Sequence, residues 1–128
     1  MFMKVHYMTS IIFTNLFDTK NIENMELMFY ECRRLTSIDL SFFNTKNVKS
    51  MYYMFYYCQK LESIDLYHFN TYNVRYMTCL FYGCENLLTI NLFNLNTQNL
   101  SSTSGMFSHC YSLTSIDLLI YLVLIHQK

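Results

Sequence analysis

A motif that recurs every 26 residues without a gap constrains this chain more than any other feature of its sequence. The four units are 17–42, 43–68, 69–94 and 95–120, and their superposition leaves several near-invariant columns. Thr19, Thr45, Thr71 and Thr97 form one, and Asn21, Asn47, Asn73 and Asn99 another. Phe29, Phe55, Phe81 and Phe107 line up, followed by Cys32, Cys58, Cys84 and Cys110. The leucine and isoleucine columns through Leu35, Ile38 and Leu40 complete the pattern. A unit this short buries too little apolar surface to offset the conformational entropy of ordering it. Stability must come from stacking on identical neighbours, so each column is expected to become a ladder along the stack.

Within a unit, Leu35-Thr-Ser-Ile38-Asp-Leu40 alternates apolar and polar positions, which predicts a short strand. Four such segments imply a small parallel sheet. Val48, Met51, Met54, Phe55 and Cys58 have helical spacing, which predicts a short helix or 3₁₀ turn across the coil, capped by Thr45 or Asn47.

LxxIxL, then FxT, NV, MF and C, resembles the BspA-like leucine-rich repeats, and more narrowly the repeats of mycoplasma and other bacterial surface proteins. The resemblance spans residues 17 to about 118. It implies an α/β fold: a right-handed leucine-rich-repeat solenoid with parallel strands on one face and short helices or 3₁₀ turns on the other. It also implies surface display, adhesion or protein recognition, with a protein or host-surface ligand and a cell-surface or secreted location.

Around the repeats, 1–16 reads as a degenerate N-terminal rung, its Met8-Thr9-Ser10-Ile11-Ile12-Phe13 echoing LTSIDL. Thr9, Ser10, Thr14 and Asn15 break the apolar run that a signal peptide needs. Residues 121–128 read as an apolar tail or cap. The stretch that starts at Leu119 and ends at Ile125 is too short to span a bilayer and is expected to cover the end of the stack, with self-association, or a further rung or domain seated there, as the alternatives. Nine basic and nine acidic residues give zero formal charge, which removes any electrostatic case for nucleic acid.

Candidate chemistry is sparse. The five cysteines include no CxxC pair; four follow the repeat and Cys79 stands outside it, so a buried thiol ladder is expected, with inter-rung disulfides as the alternative. Asp39, Asp65 and Asp117, interrupted by Asn91, form an outward row that is read as structural, with oxygen ligation of a cation as the minor reading. Asn99-Leu100-Ser101 matches a glycosylation sequon, but the asparagine column is read as inward-facing and structural. His6, His68, His109 and His126 share no column, and no nucleophile triad or phosphate loop occurs. No enzyme activity, cofactor or metal is expected.

What remains is surface. Tyr30, Tyr52, Tyr53, Tyr56, Tyr57 and Tyr82 crowd one side of the units, part packing and part contact surface. On the strand side, the variable positions Thr36, Ser41, Phe42, Glu62, Tyr67, His68, Leu88, Phe93 and Asn94 are the expected contacts. The expected function is a non-enzymatic, surface-displayed module for protein binding or adhesion. The alternative is a structural spacer or scaffold segment of a larger repeat protein, inside the cell or on its surface.

Overall fold

A computed structural model describes residues 6–116. The 26-residue units lie side by side in register, and the expected ladders form between them. Strands β1 (Ser10–Ile11) and β2 (Ser37–Ile38) pair in parallel, as do β3 (Ser63–Asp65) and β4 (Thr89–Asn91). Ser10 pairs with Ser37, and Thr89 forms one further parallel bridge to Ser115. A second line of parallel bridges runs Asn24, Ser50, Tyr76, Ser102 along another side of the units.

The α/β leucine-rich-repeat solenoid expected from the sequence is overturned. Among the described residues there is no helix, the strands make two separate two-stranded sheets, and the units do not close into a solenoid. The segment predicted as helical is a ribbon of consecutive tight turns. Met54, Tyr56 and Cys58 donate their N–H groups to carbonyls three residues back. The alternate residues Met51, Tyr53, Phe55 and Tyr57 donate across to Tyr76, Thr78, Leu80 and Tyr82 of the next unit. An α-helix needs every N–H for a carbonyl four residues back, and here half of them leave the unit. The backbone enforces the difference: Leu27, Tyr53, Cys79 and Gly105 form one column with positive φ, and Glu31, Tyr57, Gly83 and His109 another. A left-handed residue every four positions interrupts any right-handed helix.

The core lies between ribbon and strands. Phe29, Phe55 and Phe81 are fully buried, with rings stacked 5.1 and 5.4 Å apart, and Phe107 continues the column at 5.7 Å. Val48, Met51, Met54 and Cys58 are buried as their spacing requires, although no helix carries them. Phe43 and Phe69 stack at a second corner, where Phe13 and Phe17 close over Phe43.

Polar columns also join the rungs. Buried Thr19, Thr45 and Thr71 each donate a hydroxyl to a backbone carbonyl of the next unit, at Asn44, Asn70 and Asn96, and accept the N–H of that same residue. This satisfies backbone groups at a corner where no strand pairing is available. Among the described residues there is no helix for Thr45 or Asn47 to cap.

Candidate functional site: the strand face

Strand geometry sends alternate side chains to opposite faces, so the residues flanking Ile38, Ile64 and Ile90 point away from the core. All nine variable positions named from the sequence are exposed: Thr36, Ser41, Phe42, Glu62, Tyr67, His68, Leu88, Phe93 and Asn94. They fall in three columns. Thr36, Glu62 and Leu88 precede the strands. Each donates its N–H to the preceding unit, at Thr9, Thr36 and Glu62, so their backbones are fixed while their side chains vary. Ser41, Tyr67 and Phe93 follow the strands, and Phe42, His68 and Asn94 come next.

The Asp column positions the second of these rows. Asp39 Oδ1 accepts the Ser41 N–H at 2.9 Å, Asp65 Oδ1 that of Tyr67 at 2.8 Å and Asn91 Oδ1 that of Phe93 at 3.1 Å. Each closes a turn two residues on, which explains why asparagine can replace aspartate. The Ser41 N–H holds the Asp39 carboxyl below its ordinary range, since the bond favours the charged form. Asp117 lies outside the described residues. Among the described residues, no group of three or more His, Cys, Asp or Glu is placed to hold a metal ion.

Large apolar surface is left in the open on this face: Phe42, Tyr67 and Leu88 are about half exposed, and Phe93 is 74% exposed. The Tyr67 and His68 rings meet edge to face at 5.3 Å. His68 also borders a shallow cleft of about 110 Å³ between neighbouring units, lined by Ile38, Asp39, Leu40, Ser41 and Asp65. Charge is thin here, so recognition on this face would rest on aromatic contact with a few polar groups.

The tyrosines of the opposite side are mostly packing. Tyr30, Tyr56 and Tyr82 stack at 5.1 and 5.0 Å, and Tyr53 and Tyr57 meet Tyr56 edge to face at 4.7 Å each. Burial pushes the Tyr56 phenol above its ordinary range. The Tyr52 hydroxyl and burial together do the same for Tyr53.

The asparagine column is exposed, which corrects its expected inward placement. Asn47, Asn73 and Asn99 donate Nδ2 to the carbonyls of Lys20, Lys46 and Tyr72 in the preceding unit, at 2.7–2.8 Å. The sequon amide of Asn99 is thus engaged in the stack. All five cysteines are free thiols. Cys58, Cys84 and Cys110 donate Sγ–H to the carbonyls of Phe29, Phe55 and Phe81 at 3.1–3.2 Å, a role their period alone did not reveal. The tail from Leu119 to Ile125 lies outside the described residues.

Residues 1–117 match the family model described as "Mycoplasma protein of unknown function, DUF285". No curated protein and no solved structure matches the chain.

Proposed function

From the premise that this chain belongs to that mycoplasma repeat family, we propose that it is a non-enzymatic module whose strand face binds a protein on a host surface. Membership itself fits a repeat module of a larger protein. The finer reading draws on the likeness to BspA-like repeats, which implies surface display and adhesion. The observation that supports it most is the exposed group of Phe42, Tyr67, Leu88 and Phe93 on one face, with the Leu88 backbone held by a rung-to-rung bond and those of Tyr67 and Phe93 by the turns that Asp65 and Asn91 close. Exposed aromatics on a rigid scaffold suit protein contact, because a large ring is ordered at small entropic cost.

The test is retention of host extracellular-matrix proteins on immobilised chain, with a Phe42→Ala/Tyr67→Ala/Phe93→Ala variant beside it and an unrelated repeat protein as control. Selective retention that the triple variant loses supports the reading. Equal retention by chain, variant and control would sink it.

A further inference from the structure

We propose that a polar cleft centred on unit 69–94, along the second line of bridges, binds a carboxylated sugar. The cleft holds about 500 Å³ and is lined by Lys49, Asn73, Arg75, Tyr76 and Asn99, which come from three consecutive units. That volume falls within the range of small-ligand sites, roughly 300–1,000 Å³. The cleft shares no residue with the contact positions of the strand face, so each site can be tested without touching the other.

The asparagine column frames the cleft. Asn73 Nδ2 donates to the Lys46 carbonyl at 2.8 Å and Asn99 Nδ2 to the Tyr72 carbonyl at 2.7 Å, which fixes both amide groups. Neither Oδ1 accepts a hydrogen bond from a described residue, so two acceptors stand one rung apart. The two positions after the asparagine and its neighbour vary from unit to unit: Glu23-Asn24, Lys49-Ser50, Arg75-Tyr76 and Ser101-Ser102. Unit 69–94 alone among these four combines a cation with an aromatic ring there. Both residues are anchored on two sides. Arg75 donates its N–H to the Lys49 carbonyl at 2.9 Å and accepts the Ser101 N–H at 2.7 Å, and Tyr76 bridges to Ser50 and Ser102.

The donor and acceptor inventory selects the ligand. Glu23 holds the Lys49 ammonium at 2.7 Å, which balances that charge. Among the described residues, no carboxylate lies within ion-pair distance of the Arg75 guanidinium. A planar guanidinium with its donors unused matches a carboxylate, which it grips through two parallel bonds. The Tyr76 ring is 47% exposed and meets no other aromatic ring among the described residues, leaving a face for the apolar C–H side of a sugar ring. The two amide oxygens accept only, so they call for hydroxyl donors beside the anion. Inorganic phosphate would satisfy Arg75 but turn its own oxygens toward those acceptors. A neutral sugar would leave the guanidinium without its anion, and an acidic peptide would supply the carboxylate without the ring and its hydroxyls. A sugar ring that carries a carboxylate meets all three requirements.

Titration of the isotope-labelled full chain, followed by NMR, tests this with four probes: cellobiouronic acid, cellobiose, inorganic phosphate and the dipeptide Asp-Asp. The two sugars differ only in a carboxylate that replaces one hydroxymethyl group. Cellobiouronic acid should bind in the millimolar range and shift the side-chain amide signals of Asn73 and Asn99 together with the Arg75 guanidinium signal. The other three probes should bind at least tenfold more weakly. Arg75→Ser and Tyr76→Ser install the residue that the same columns already carry at Ser101 and Ser102, so the fold is kept, which urea midpoints check. Arg75→Ser should reduce the acidic sugar to the level of cellobiose, and Tyr76→Ser should weaken both sugars. Arg75→Gln repeats the first arm if the serine variant loses its fold. The proposal is overturned if cellobiouronic acid leaves the three signals unmoved, or if Arg75→Ser and Arg75→Gln bind it as the parent chain does. Phosphate binding as tightly as the acidic sugar would reduce the cleft to a plain anion patch, and Asp-Asp doing so would reassign it to acidic peptides; either result also sinks the proposal.

Discussion

The hydroxyl of Thr45 donates to the Asn70 carbonyl at 3.2 Å and accepts the Asn70 N–H at 2.8 Å, closing a two-bond clasp between consecutive units. Thr45 is buried, so its hydroxyl is shielded, while Asn70 is exposed. Thr45→Val keeps the volume and removes both bonds. It should lower stability by about 1–2 kcal/mol, the net worth of the bonds and of the backbone groups left short of partners. Thr45→Ser retains the hydroxyl and should cost less. Urea midpoints of the two variants check the order.

The aromatic column separates core from contact surface. Phe55 is fully buried between Phe29 and Phe81, so Phe55→Ala should cost roughly 3–5 kcal/mol by opening a cavity in the stack. Phe42, about half exposed on the strand face, should change stability by no more than about 0.5 kcal/mol as Phe42→Ala. Comparable midpoints for the two would contradict the placement of inside and outside.

How far the sequence carried is clear from the ribbon. Val48, Met51, Met54, Phe55 and Cys58 are buried as their spacing demands, yet that spacing belongs to a ribbon of turns and not to a helix. Turns closed by bonds to the third residue back return side chains to one side at nearly the helical period. The discriminating signal was faint: the chain has two glycines, and Gly83 and Gly105 sit in the two left-handed columns. Tyr53 and Tyr57 hold the same conformation without being glycine and so concealed it. The threonine column was visible as a repeat, but its clasp could not be deduced from spacing, because it depends on a corner where the backbone has no other partner. On the strand face, the turn-closing role of Asp39 and Asp65 explains the Asp-to-Asn exchange at Asn91, which a purely charge-based reading of that row treated as an interruption.

Gly83 offers a direct test of the ribbon. Its φ is +73°, and an added Cβ would stand 2.6 Å from Cδ1 of the Tyr57 ring. Gly83→Ala therefore meets two penalties: roughly 1–2 kcal/mol for the left-handed backbone and a displaced tyrosine. In a Tyr57→Ala background the second penalty disappears and the first remains. The double-mutant cycle should thus show coupling, with Gly83→Ala milder when Tyr57 is already gone. Strict additivity would mean that the two residues do not meet.

The thiol ladder sets a pH dependence. Burial pushes the Cys58 and Cys84 thiols well above their ordinary range, and Cys110, nearer the end of the stack, up to about 11. In each case the neutral thiol suits the apolar site and donates to a carbonyl of the preceding unit, whereas the thiolate would be both desolvated and unable to donate. The folded chain then holds its thiol protons at a pH where the unfolded chain, with thiols near the free value of about 8.5, releases them. Fewer protons bound in the unfolded state means that stability falls as pH rises. The contribution is complete below about pH 8.5. It is lost for Cys110 as pH climbs through about 11, and continues to fall beyond that for the two deeper thiols. Urea midpoints should be flat from pH 7 to 8 and decline above pH 9, and Cys110→Ala should flatten the early part of that decline. Native protein at pH 8 should react with a thiol reagent far more slowly at Cys58 and Cys84 than after unfolding. Equal labelling rates in the two states, or a midpoint indifferent to alkali, would remove the thiols from the core.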